Sequence, residues 1–355
     1  MSSNILITGA GGYIGGSIAA HLLAKTNGLI QKDQVIAAVR SKEQADAVSK
    51  LGIRVLQLDL SNEKDVTESV LHHNISIVIH TASVDPSIVL PLVNALGKQK
   101  QVNGGETHFI YTSGLSAFYE KTGWPVGSFK DTDPVFDTEK RIADSFLLRK
   151  TDVAVIEHAE AQGVTSFIVV PSLVYGKGSG EWNKLSVVLP LYVKASISAK
   201  AVYKFPENPR VSGVHISDLT ALYGLIVEHI LRGETVPSGR EGYYFALAHD
   251  MFLGEVGDHL ARALCDRGLI SDSKTHNYSD PEAAAESLGV PAPFVQMLWD
   301  SGPDIIAELP HSIGWKPEWN KERFLQDVDD EVQAVVDLGK AKSSLVDSLL
   351  KSAMG

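Results

Sequence analysis

The chain has 355 residues, of which 44% are hydrophobic and 21% are charged, and its formal net charge is −11. This length and composition are typical of a globular protein with a large core and one or two domains. The negative charge disfavours binding to a phosphate backbone, so we expect no nucleic-acid partner. Cys265 is the single cysteine, which excludes an internal disulfide bond and favours a cytoplasmic setting. The apolar segments are too short to span a bilayer, and we expect no membrane partner.

The first strand and the first helix enclose a glycine-rich turn that contains Gly9, Gly12 and Gly15. A glycine turn between a strand and a helix N-terminus is typical of a dinucleotide site, where backbone N–H groups bind the pyrophosphate. Gly9 permits the tight turn, Gly12 lets the backbone approach the pyrophosphate, and Gly15 lets the helix pack on its strand. Tyr13 and Ile14 open the helix and are predicted to contact the cofactor as well. A glycine turn with a purely structural role is the alternative.

Strand and helix signals alternate through the first half of the chain. The predicted strands lie at 4–8, 34–40, 54–59, 75–81, 108–113 and 166–170, and the predicted helices at 14–26, 42–51, 63–72, 87–98 and 152–162. Farther along, the patterns predict helices at 219–231, 253–266, 281–288 and 293–299 and a short strand at 243–246. The alternation predicts an α/β fold, namely a Rossmann-type doubly wound parallel sheet with helices on both faces.

The pattern changes after a glycine-rich loop that ends at residue 180, and this divides the chain into two regions. We predict a dinucleotide-binding domain over residues 1–180, to which residues 206–235 return. Residues 181–205 and 236–355 are predicted to form a smaller, mostly helical region that binds the substrate and contains the C-terminus.

The tail from Trp319 is predicted to be a charged helix with one apolar stripe. The stripe consists of Leu345, Val346, Leu349 and Leu350. It either docks on the protein's own surface or contributes to a homodimer, and the sequence leaves both possibilities open.

The residue at the end of the second strand indicates which dinucleotide binds. NAD sites carry Asp or Glu there, because a carboxylate accepts a hydrogen bond from the ribose 2′-hydroxyl. This chain has Arg40 instead, followed by Ser41 and Lys42. A guanidinium can pair with the 2′-phosphate of NADP(H). The sequence therefore predicts NADP(H) rather than NAD(H), with Arg40 as the residue that recognises the phosphate. A solvated charge at the strand end is the alternative.

The ends of the third and fourth strands are predicted to line the rest of the cofactor. Asp59 and Leu60 follow the third strand, where they are placed to bind the adenine. Thr81, Ala82 and Ser83 follow the fourth strand and are expected beside the pyrophosphate and the ribose. Carboxyl ends of parallel strands meet at one edge of the sheet, so these residues are expected to line a single cleft.

Further motifs follow the glycine turn in a characteristic order. They are Tyr-Thr-Ser-Gly at 111–114, Val-Pro-Ser-Leu-Val-Tyr-Gly at 170–176, Val-His-Ile-Ser-Asp-Leu at 214–219 and Ile-Gly-Trp-Lys-Pro at 313–317. Together they resemble the extended, NAD-dependent epimerase/dehydratase-like branch of the short-chain dehydrogenase/reductase superfamily, and in particular a divergent, atypical subgroup of fungal type. The resemblance implies an active-site serine at Ser113 and nicotinamide contacts at Pro171 and Val174.

The resemblance breaks at the residues that carry the family's chemistry. The family implies Tyr-x-x-x-Lys on the helix before the sixth strand, where the tyrosine transfers the proton and the lysine lowers its pKa. If Glu157 is aligned with an acid that commonly follows the lysine, Arg149 stands at the tyrosine position and Val153 at the lysine position. No Tyr-x-x-x-Lys occurs in this region. We therefore expect a substitute proton donor.

Tyr119 is the candidate for that donor, because it lies six residues after Ser113 in a loop at the strand's carboxyl end. Tyr175 and His80 are the alternatives. Histidine and carboxylate groups lack the spacing of a metal site, and we predict none.

The motifs predict an NADP(H)-dependent oxidoreductase or epimerase-like enzyme that acts on a small molecule. The predicted pocket walls are Asp85 and residues 115–119, 174–180 and 182–186. An apolar run after Trp182 favours a fairly apolar carbonyl or hydroxyl compound as substrate. The alternative is an NADP(H)-binding protein without redox turnover, either an NmrA-like sensor or regulator, or an isomerase or cyclase that reuses the pocket.

Overall fold

A computed structural model of the chain describes residues 3–25, 28–298 and 304–342. The strands are β1 (Asn4–Thr8), β2 (Val35–Val39), β3 (Arg54–Gln57), β4 (Ile75–His80), β5 (His108–Thr112), β6 (Phe129–Lys130), β7 (Thr165–Pro171), β8 (Leu173–Tyr175), β9 (Val202–Lys204), β10 (Arg210–His215), β11 (Tyr243–Ala246), β12 (His249–Phe252), β13 (Thr275–Asn277) and β14 (Ile305–Ile306). The helices are α1 (Tyr13–Ala24), α2 (Lys42–Val48), α3 (Glu63–His72), α4 (Pro86–Asn103), α5 (Val135–Arg141), α6 (Leu147–Gln162), α7 (Val188–Ala199), α8 (Ile216–Arg232), α9 (Leu253–Asp266), α10 (Pro281–Leu288), α11 (Ala292–Leu298), α12 (Leu309–Ser312) and α13 (Lys321–Leu338). The predicted stripe of Leu345, Val346, Leu349 and Leu350 lies outside the described residues.

A parallel sheet forms the centre of the described structure, with the strand order β11-β7-β5-β4-β1-β2-β3. The chain order reverses between β1 and β4, and doubly wound sheets bind their ligands at such a reversal. The carboxyl ends of the strands are in register, because Thr8 pairs with Ala38 and His80, and His80 pairs with Tyr111. The predicted Rossmann-type α/β fold is confirmed.

The two faces of this sheet pack into separate hydrophobic cores. Successive side chains of a strand point to opposite faces, so Leu6 and Tyr111 join one core while Ile7 and Ile110 join the other. Helices α3, α4 and α6 lie on the first face, and α1 and α8 lie on the second. Because both faces are covered, the strands are almost continuous apolar runs.

A third core belongs to the smaller region, which combines α7, α9, α10 and α13. A three-stranded sheet in the order β12-β10-β8 accompanies these helices. Strand β8 follows β7 after a single residue, Ser172. The small sheet therefore stands directly beyond the carboxyl edge of the large one, where it can cover a ligand.

Strand β11 differs from the predicted division of the chain. It falls within residues 236–355, yet it pairs with β7 as an edge strand of the large sheet. Tyr243, Tyr244 and Phe245 are all fully buried there. A short run of aromatic residues can cover both faces of a sheet edge, which explains why a strand from the second region completes the first.

Two motifs that lie far apart in the sequence meet at the start of α8. The indole N–H of Trp315 donates to the backbone oxygen of Asp218 at 2.8 Å. The Asp218 carboxylate accepts hydrogen bonds from the backbone N–H groups of Glu318 and Trp319, each at 3.0 Å. Asp218 and Trp315 are both buried. These bonds fasten the segment before α13 to the helix that flanks the large sheet.

None of the described helices combines the length and the apolar content that a membrane span requires.

We expect Asp218→Asn to lower the free energy of unfolding by about 1–3 kcal/mol, because an amide nitrogen faces one of the two N–H groups and leaves it without an acceptor. Urea denaturation measures this change. Asp266→Asn is the matched control, since Asp266 is exposed on α9, and it should change stability by less than about 0.5 kcal/mol. An unchanged denaturation midpoint in Asp218→Asn would show that these bonds do not stabilise the fold.

Candidate functional site

The turn after β1 leaves no room for side chains. Gly9 has a φ of +74°, in the left-handed region that favours glycine. A Cβ atom at Gly15 would lie 2.5 Å from both the backbone oxygen of Gly9 and Oγ1 of Thr81. The Gly12 N–H donates to that same Gly9 oxygen at 2.7 Å. The turn is therefore compact, and α1 begins directly behind it.

The N-terminus of α1 presents backbone donors to the cleft. Gly12 is the N-cap, and the helix has neither a side-chain cap nor an acidic residue in its first turn. The N–H groups of that turn lack acceptors inside the helix, and together with the helix dipole they favour an anion. Ile14 is half-buried at this turn, and the buried Tyr13 donates its hydroxyl to the oxygen of Gly176 at 2.6 Å. The turn fits the pyrophosphate of a dinucleotide.

The segment after β4 lies beside this turn. Thr81 Oγ1 donates to the backbone oxygen of Thr8 at 2.9 Å, so it ties β4 to β1. Ala82 is exposed and Ser83 is half-buried. His80 is fully buried, with Nδ1 2.8 Å from Thr8 Oγ1 and Nε2 2.9 Å from the oxygen of Ser83. Burial lowers the pKa of His80 to about 4, so the ring is neutral at pH 7 and supports the segment.

Arg40 stands at the end of β2, next to the glycine turn, with its side chain exposed. Its backbone N–H donates to Oε1 of Gln44 at 3.0 Å. Ser41 is the N-cap of α2 and accepts from the N–H of Gln44 at 3.3 Å. A Cβ at Gly11 would lie 3.0 Å from Cδ of Gln44, so the start of α2 packs against the glycine turn. These contacts fix the backbone position of Arg40 at the edge of the cleft.

Asp59 and Leu60 follow β3 at the far end of the cleft. Asp59 is exposed, and its Oδ1 accepts from the N–H of Ser61 at 2.9 Å and from the Ser61 hydroxyl at 2.7 Å. These two bonds lower the pKa of the Asp59 carboxyl. The carboxylate therefore stabilises the turn that leads to α3, and the binding of adenine here stays a prediction.

The end of β5 holds a contact that the sequence analysis does not identify. Ser113 is 7% exposed, and its hydroxyl donates to Oδ2 of Asp152 at 2.6 Å. Asp152 is fully buried on α6. Leu148, one turn earlier on that helix, lies beside Gly114, where a Cβ would meet its Cδ1 at 3.6 Å. The helix itself contains no tyrosine.

A second carboxyl group lies behind Asp152. Glu139 of α5 is within hydrogen-bonding reach of Asp152, and it also accepts the hydroxyl of Tyr243 at 2.5 Å. Burial raises the pKa of Asp152 to about 7 and that of Glu139 well above its usual range. Asp152 Oδ1 and Glu139 Oε1 have no hydrogen-bond partner among the described residues. A single proton shared between the two groups satisfies both oxygens.

The contact of Asp152 with Ser113 is not predicted, because the predicted helix begins later than the observed α6. The predicted helix begins at Asp152, where an acid favours a helix N-terminus, but α6 begins at Leu147. Asp152 therefore lies in the second turn, in line with Val155, Ile156 and Ala159 on the buried face. An acid on an apolar stripe is the signal in the sequence that points to a buried carboxyl group.

Arg149 and Val153, which align with the catalytic pair of the family, have other roles. The Arg149 guanidinium is fully buried and donates to the oxygen of Ala117 at 2.5 Å and to the oxygen and Oγ1 of Thr122, each at 2.7 Å. Val153 belongs to the core on that face of the sheet. Tyr119 lies in the loop that Arg149 holds and is 7% exposed in the same core. Its burial favours a packing role, and proton donation by Tyr119 stays a prediction.

The nicotinamide end of the cleft is expected at β7 and β8. Pro171 ends β7 and is buried, and Val174 in β8 is half-buried. Tyr175 is fully buried, and its hydroxyl lies 2.7 Å from Nε2 of His249. Burial raises the pKa of the Tyr175 hydroxyl well above its usual range, so this group holds its proton firmly.

A cavity of about 450 Å³ opens beyond β5 and β11. It is lined by Leu115, Arg210, Ser212, Leu247, Ala248, His249, Asp250, Asp304, Ile305, Ala307 and His311. A second cavity, of about 200 Å³, lies between α7 and α10. Of the predicted pocket walls, Leu115 lines the first cavity and Ser186 lines the second. Asp85, another predicted wall residue, caps α4 by accepting from the N–H of Ser87 at 2.9 Å.

Within the described residues, no group of three or more His, Cys, Asp or Glu side chains is arranged to hold a metal ion.

A glycine turn and an uncapped helix at the switch point of a doubly wound sheet define an NAD(P)-binding protein. A family model described as NAD(P)H-binding matches residues 9–204, which is more than half of the chain. The chain belongs to this NAD(P)H-binding family.

Relatives in sequence include reductases and oxidases. The chain is 24% identical over 237 residues to the dTDP-4-dehydro-6-deoxy-D-allose reductase of a Streptomyces species, covering 61% of this chain and 69% of that protein. It is 23% identical over 348 residues to the oxidase ucsJ of an Acremonium species, covering 89% of this chain and 93% of that protein.

Solved structures share the fold over nearly the whole chain. The UDP-glucose 4-epimerase of Thermotoga maritima matches with a TM-score of 0.63 at 14% identity, over 94% of this chain and 99% of that one. Vestitone reductase from alfalfa matches with a TM-score of 0.59 at 18% identity, over 95% and 99%. These similarities show that the chain has the fold of this epimerase and this reductase, in line with the predicted resemblance.

We expect Gly15→Ala to weaken NADPH binding at least about 10-fold, because the new methyl group displaces the Gly9 oxygen and Thr81 and so distorts the turn. Calorimetric titration measures the dissociation constant. Gly105→Ala is the matched control, since a Cβ at Gly105 meets no atom within 4 Å. Wild-type affinity in a folded Gly15→Ala protein would contradict the assignment of this turn to the cofactor.

Proposed function

We propose that the chain is an NADP(H)-dependent oxidoreductase that acts on a small carbonyl or hydroxyl compound. The observation that carries this proposal is the alignment of strand ends: β1, β4 and β5 are in register at their carboxyl edge. That register sets the donors of α1, after β1, and the hydroxyl of Ser113, after β5, along one edge of the sheet, with β4 between the two strands. A nicotinamide cofactor, when bound, supplies or accepts a hydride, while the chain's own residues bind, orient and move protons.

The preference for NADP(H) rests on the charge at the end of β2. Arg40 is exposed beside the glycine turn, and no carboxylate occupies its position. Lys42 is close by in sequence, but its ammonium binds Asp46 at 2.6 Å. Arg40 is therefore the better candidate for a 2′-phosphate, and the hydroxyl of Ser41 at the start of α2 can add a hydrogen bond.

The residues along the cleft have separate tasks in this proposal. The first-turn N–H groups of α1 bind the pyrophosphate, and Thr81 holds the glycine turn in shape. Asp59 and Leu60 bind the adenine, and Pro171 and Val174 flank the nicotinamide. The small sheet beyond the carboxyl edge excludes water from this end of the cleft.

The cavity of about 450 Å³ is the proposed place for the substrate. Its volume suits a small molecule. Leu115, Leu247 and Ile305 offer apolar contact to the body of the substrate, and His249 and His311 offer polar contact to its functional groups. Ser113 and Tyr119 are the candidate catalytic residues, since they lie just before and just after Leu115 in sequence.

A second candidate function is NADP(H) binding without redox turnover. The absence of a tyrosine from α6 and the burial of Tyr119 favour it. In that case the protein acts as a sensor or regulator, or as an isomerase or cyclase that uses the same cavity.

We expect Arg40→Ala to weaken NADPH binding by about 10- to 100-fold, since hydrogen bonds to a charged group contribute about 1.5–3 kcal/mol. NADH binding should stay within about 2-fold. Fluorescence or calorimetric titration with NADPH and with NADH measures the two dissociation constants and their ratio. Arg54→Ala serves as the control, because Arg54 is an exposed arginine at the N-terminal end of β3, whereas Arg40 lies at the carboxyl edge of the sheet. An unchanged NADPH affinity in Arg40→Ala would rule out this residue as the reader of the phosphate.

We expect Ser113→Ala to lower turnover about 100-fold without changing the NADPH dissociation constant, because a proton-transferring group contributes about that much. The assay follows NADPH consumption with a panel of reactive carbonyl compounds, including isatin and menadione. Tyr119→Phe separates the two candidates: a comparable loss assigns the proton to Tyr119, and full turnover assigns it to Ser113. Tight NADPH binding with no consumption by any carbonyl compound would favour the second function.

A further inference from the structure

The buried pair of Asp152 and Glu139 has no task in holding the cofactor. Asp152 is the acceptor of the Ser113 hydroxyl at 2.6 Å, and Ser113 stands at the carboxyl edge of the sheet. Glu139 lies behind Asp152 and is fully buried. A path of hydrogen-bonding groups therefore leads from the cleft through Ser113 into a pair of carboxyl groups that water does not reach.

We propose that Ser113, Asp152 and Glu139 form a proton relay, in which the carboxyl pair stores the proton that Ser113 exchanges with the oxygen of the substrate. The relay rests on the proposed oxidoreductase function and adds a proton source to it. Ser113 is the catalytic residue that touches the substrate. Asp152 and Glu139 act through Ser113 and are positioning residues.

The surroundings of Asp152 explain why the pair holds a proton. Two carboxylates that lie next to each other inside a core repel each other and lose their hydration. One of them therefore stays protonated at neutral pH. The groups that face Asp152 are Tyr111 on β5, Ser113 directly after β5, Glu139 on α5, Tyr243 on β11 and Arg149 on its own helix.

Only Arg149 among these neighbours carries a positive charge, and its guanidinium is already bound to Ala117, Thr122 and Ser145. Arg149 therefore offsets part of the negative charge and leaves the shared proton in place. Burial raises the pKa of Asp152 to about 7, so the pair can release and regain this proton near neutral pH.

The proton balance is complete in both directions. In reduction, the carbonyl carbon gains a hydride and the carbonyl group is reduced, while a reduced nicotinamide, the reductant of the proposed function, is oxidised. The carbonyl oxygen takes the proton of the Ser113 hydroxyl, and Ser113 regains a proton from Asp152. The carboxyl pair is then reprotonated from solvent. In oxidation each transfer runs in reverse, and Asp152 accepts the proton through Ser113.

Infrared titration of the full chain tests the stored proton without any substrate. The carbonyl absorption of protonated carboxyl groups should fall as the pH rises through about 7, and Asp152→Asn should remove the part of this change that Asp152 contributes. Glu331→Gln is the matched control: Glu331 is another buried carboxyl group whose pKa is raised by burial to about 7, and it accepts from the N–H of Gly176, so its replacement should leave the contribution of Asp152 in place. A pH-dependent change as large in Asp152→Asn as in the wild type would overturn the proposal.

Calorimetric titration with NADP⁺ and NADPH, in two buffers of different ionisation enthalpy near pH 7, tests the connection to the cleft. The oxidised nicotinamide ring is positively charged, so its binding should expel the stored proton, and we expect about half a proton more release with NADP⁺ than with NADPH. Asp152→Asn should abolish this difference while the NADPH dissociation constant stays within about 3-fold. Asp266→Asn, at an exposed position on α9, should retain it.

The outcomes separate the relay from the function on which it rests. Binding of both cofactors with equal proton release would overturn the relay and leave the oxidoreductase proposal standing. A lack of binding by either cofactor would refute the oxidoreductase proposal and the relay together. If Asp152→Asn does not fold, Glu139→Gln replaces it: an amide beside Asp152 favours its ionised form, so the difference in proton release should move to lower pH, and an unmoved difference would overturn the relay.

Discussion

The contact between the glycine turn and the end of β4 fixes the geometry of the whole cleft. Gly15 passes so close to Gly9 and Thr81 that no side chain fits between them, and the Thr81 hydroxyl joins the backbone of Thr8. This packing sets the angle at which α1 leaves the sheet, and thereby the direction of its free N–H groups. The switch point of the sheet becomes an anion site because the backbone there is immobilised in a conformation that only glycine allows.

The polar groups beneath Ser113 follow a different physical rule. A buried charge destabilises a fold unless partners satisfy it, and the two kinds of charge in this core are satisfied differently. Arg149 donates to carbonyl and hydroxyl oxygens of the loop after β5 and so holds this loop in place. Burial raises the pKa of both Asp152 and Glu139, so this pair of carboxyl groups retains a proton instead of carrying two charges. Arg149 keeps its protons, whereas the pair of Asp152 and Glu139 can exchange one proton.

The parts of the site that depend on local pattern could be predicted from the sequence. The glycine turn and the strand ends at Arg40, Asp59 and Thr81 each follow an apolar run, so their place at the edge of the sheet could be read directly. The pairing of Ser113 with Asp152 could not, because it joins two separate elements, 39 residues apart. The N-cap of α6 is Phe146, which provides no side-chain cap. Without a capping signal, the sequence predicts a helix that begins too late, with Asp152 at its N-terminus instead of in its second turn.

Strand β11 shows the same limit at the scale of the fold. Its aromatic residues predict a strand, but their pairing with β7 joins residues that are 75 positions apart, and local periodicity does not record such a pairing. This pairing has a chemical consequence, because Tyr243 of β11 is the residue that donates its hydroxyl to Glu139. The edge strand therefore completes both the large sheet and the surroundings of the carboxyl pair.

The sign of the charge beside Ser113 sets this chain apart from the enzymes it resembles. The family resemblance implies a lysine on this helix, and an ammonium group favours loss of a proton from a neighbouring tyrosine. Helix α6 instead brings a carboxyl group to Ser113, and a carboxyl group attracts the positive charge of an oxidised nicotinamide. A residue whose pKa lies near neutral pH serves equally well as acid and as base. In the proposed enzyme the same side chains can therefore donate the proton in reduction and accept it in oxidation.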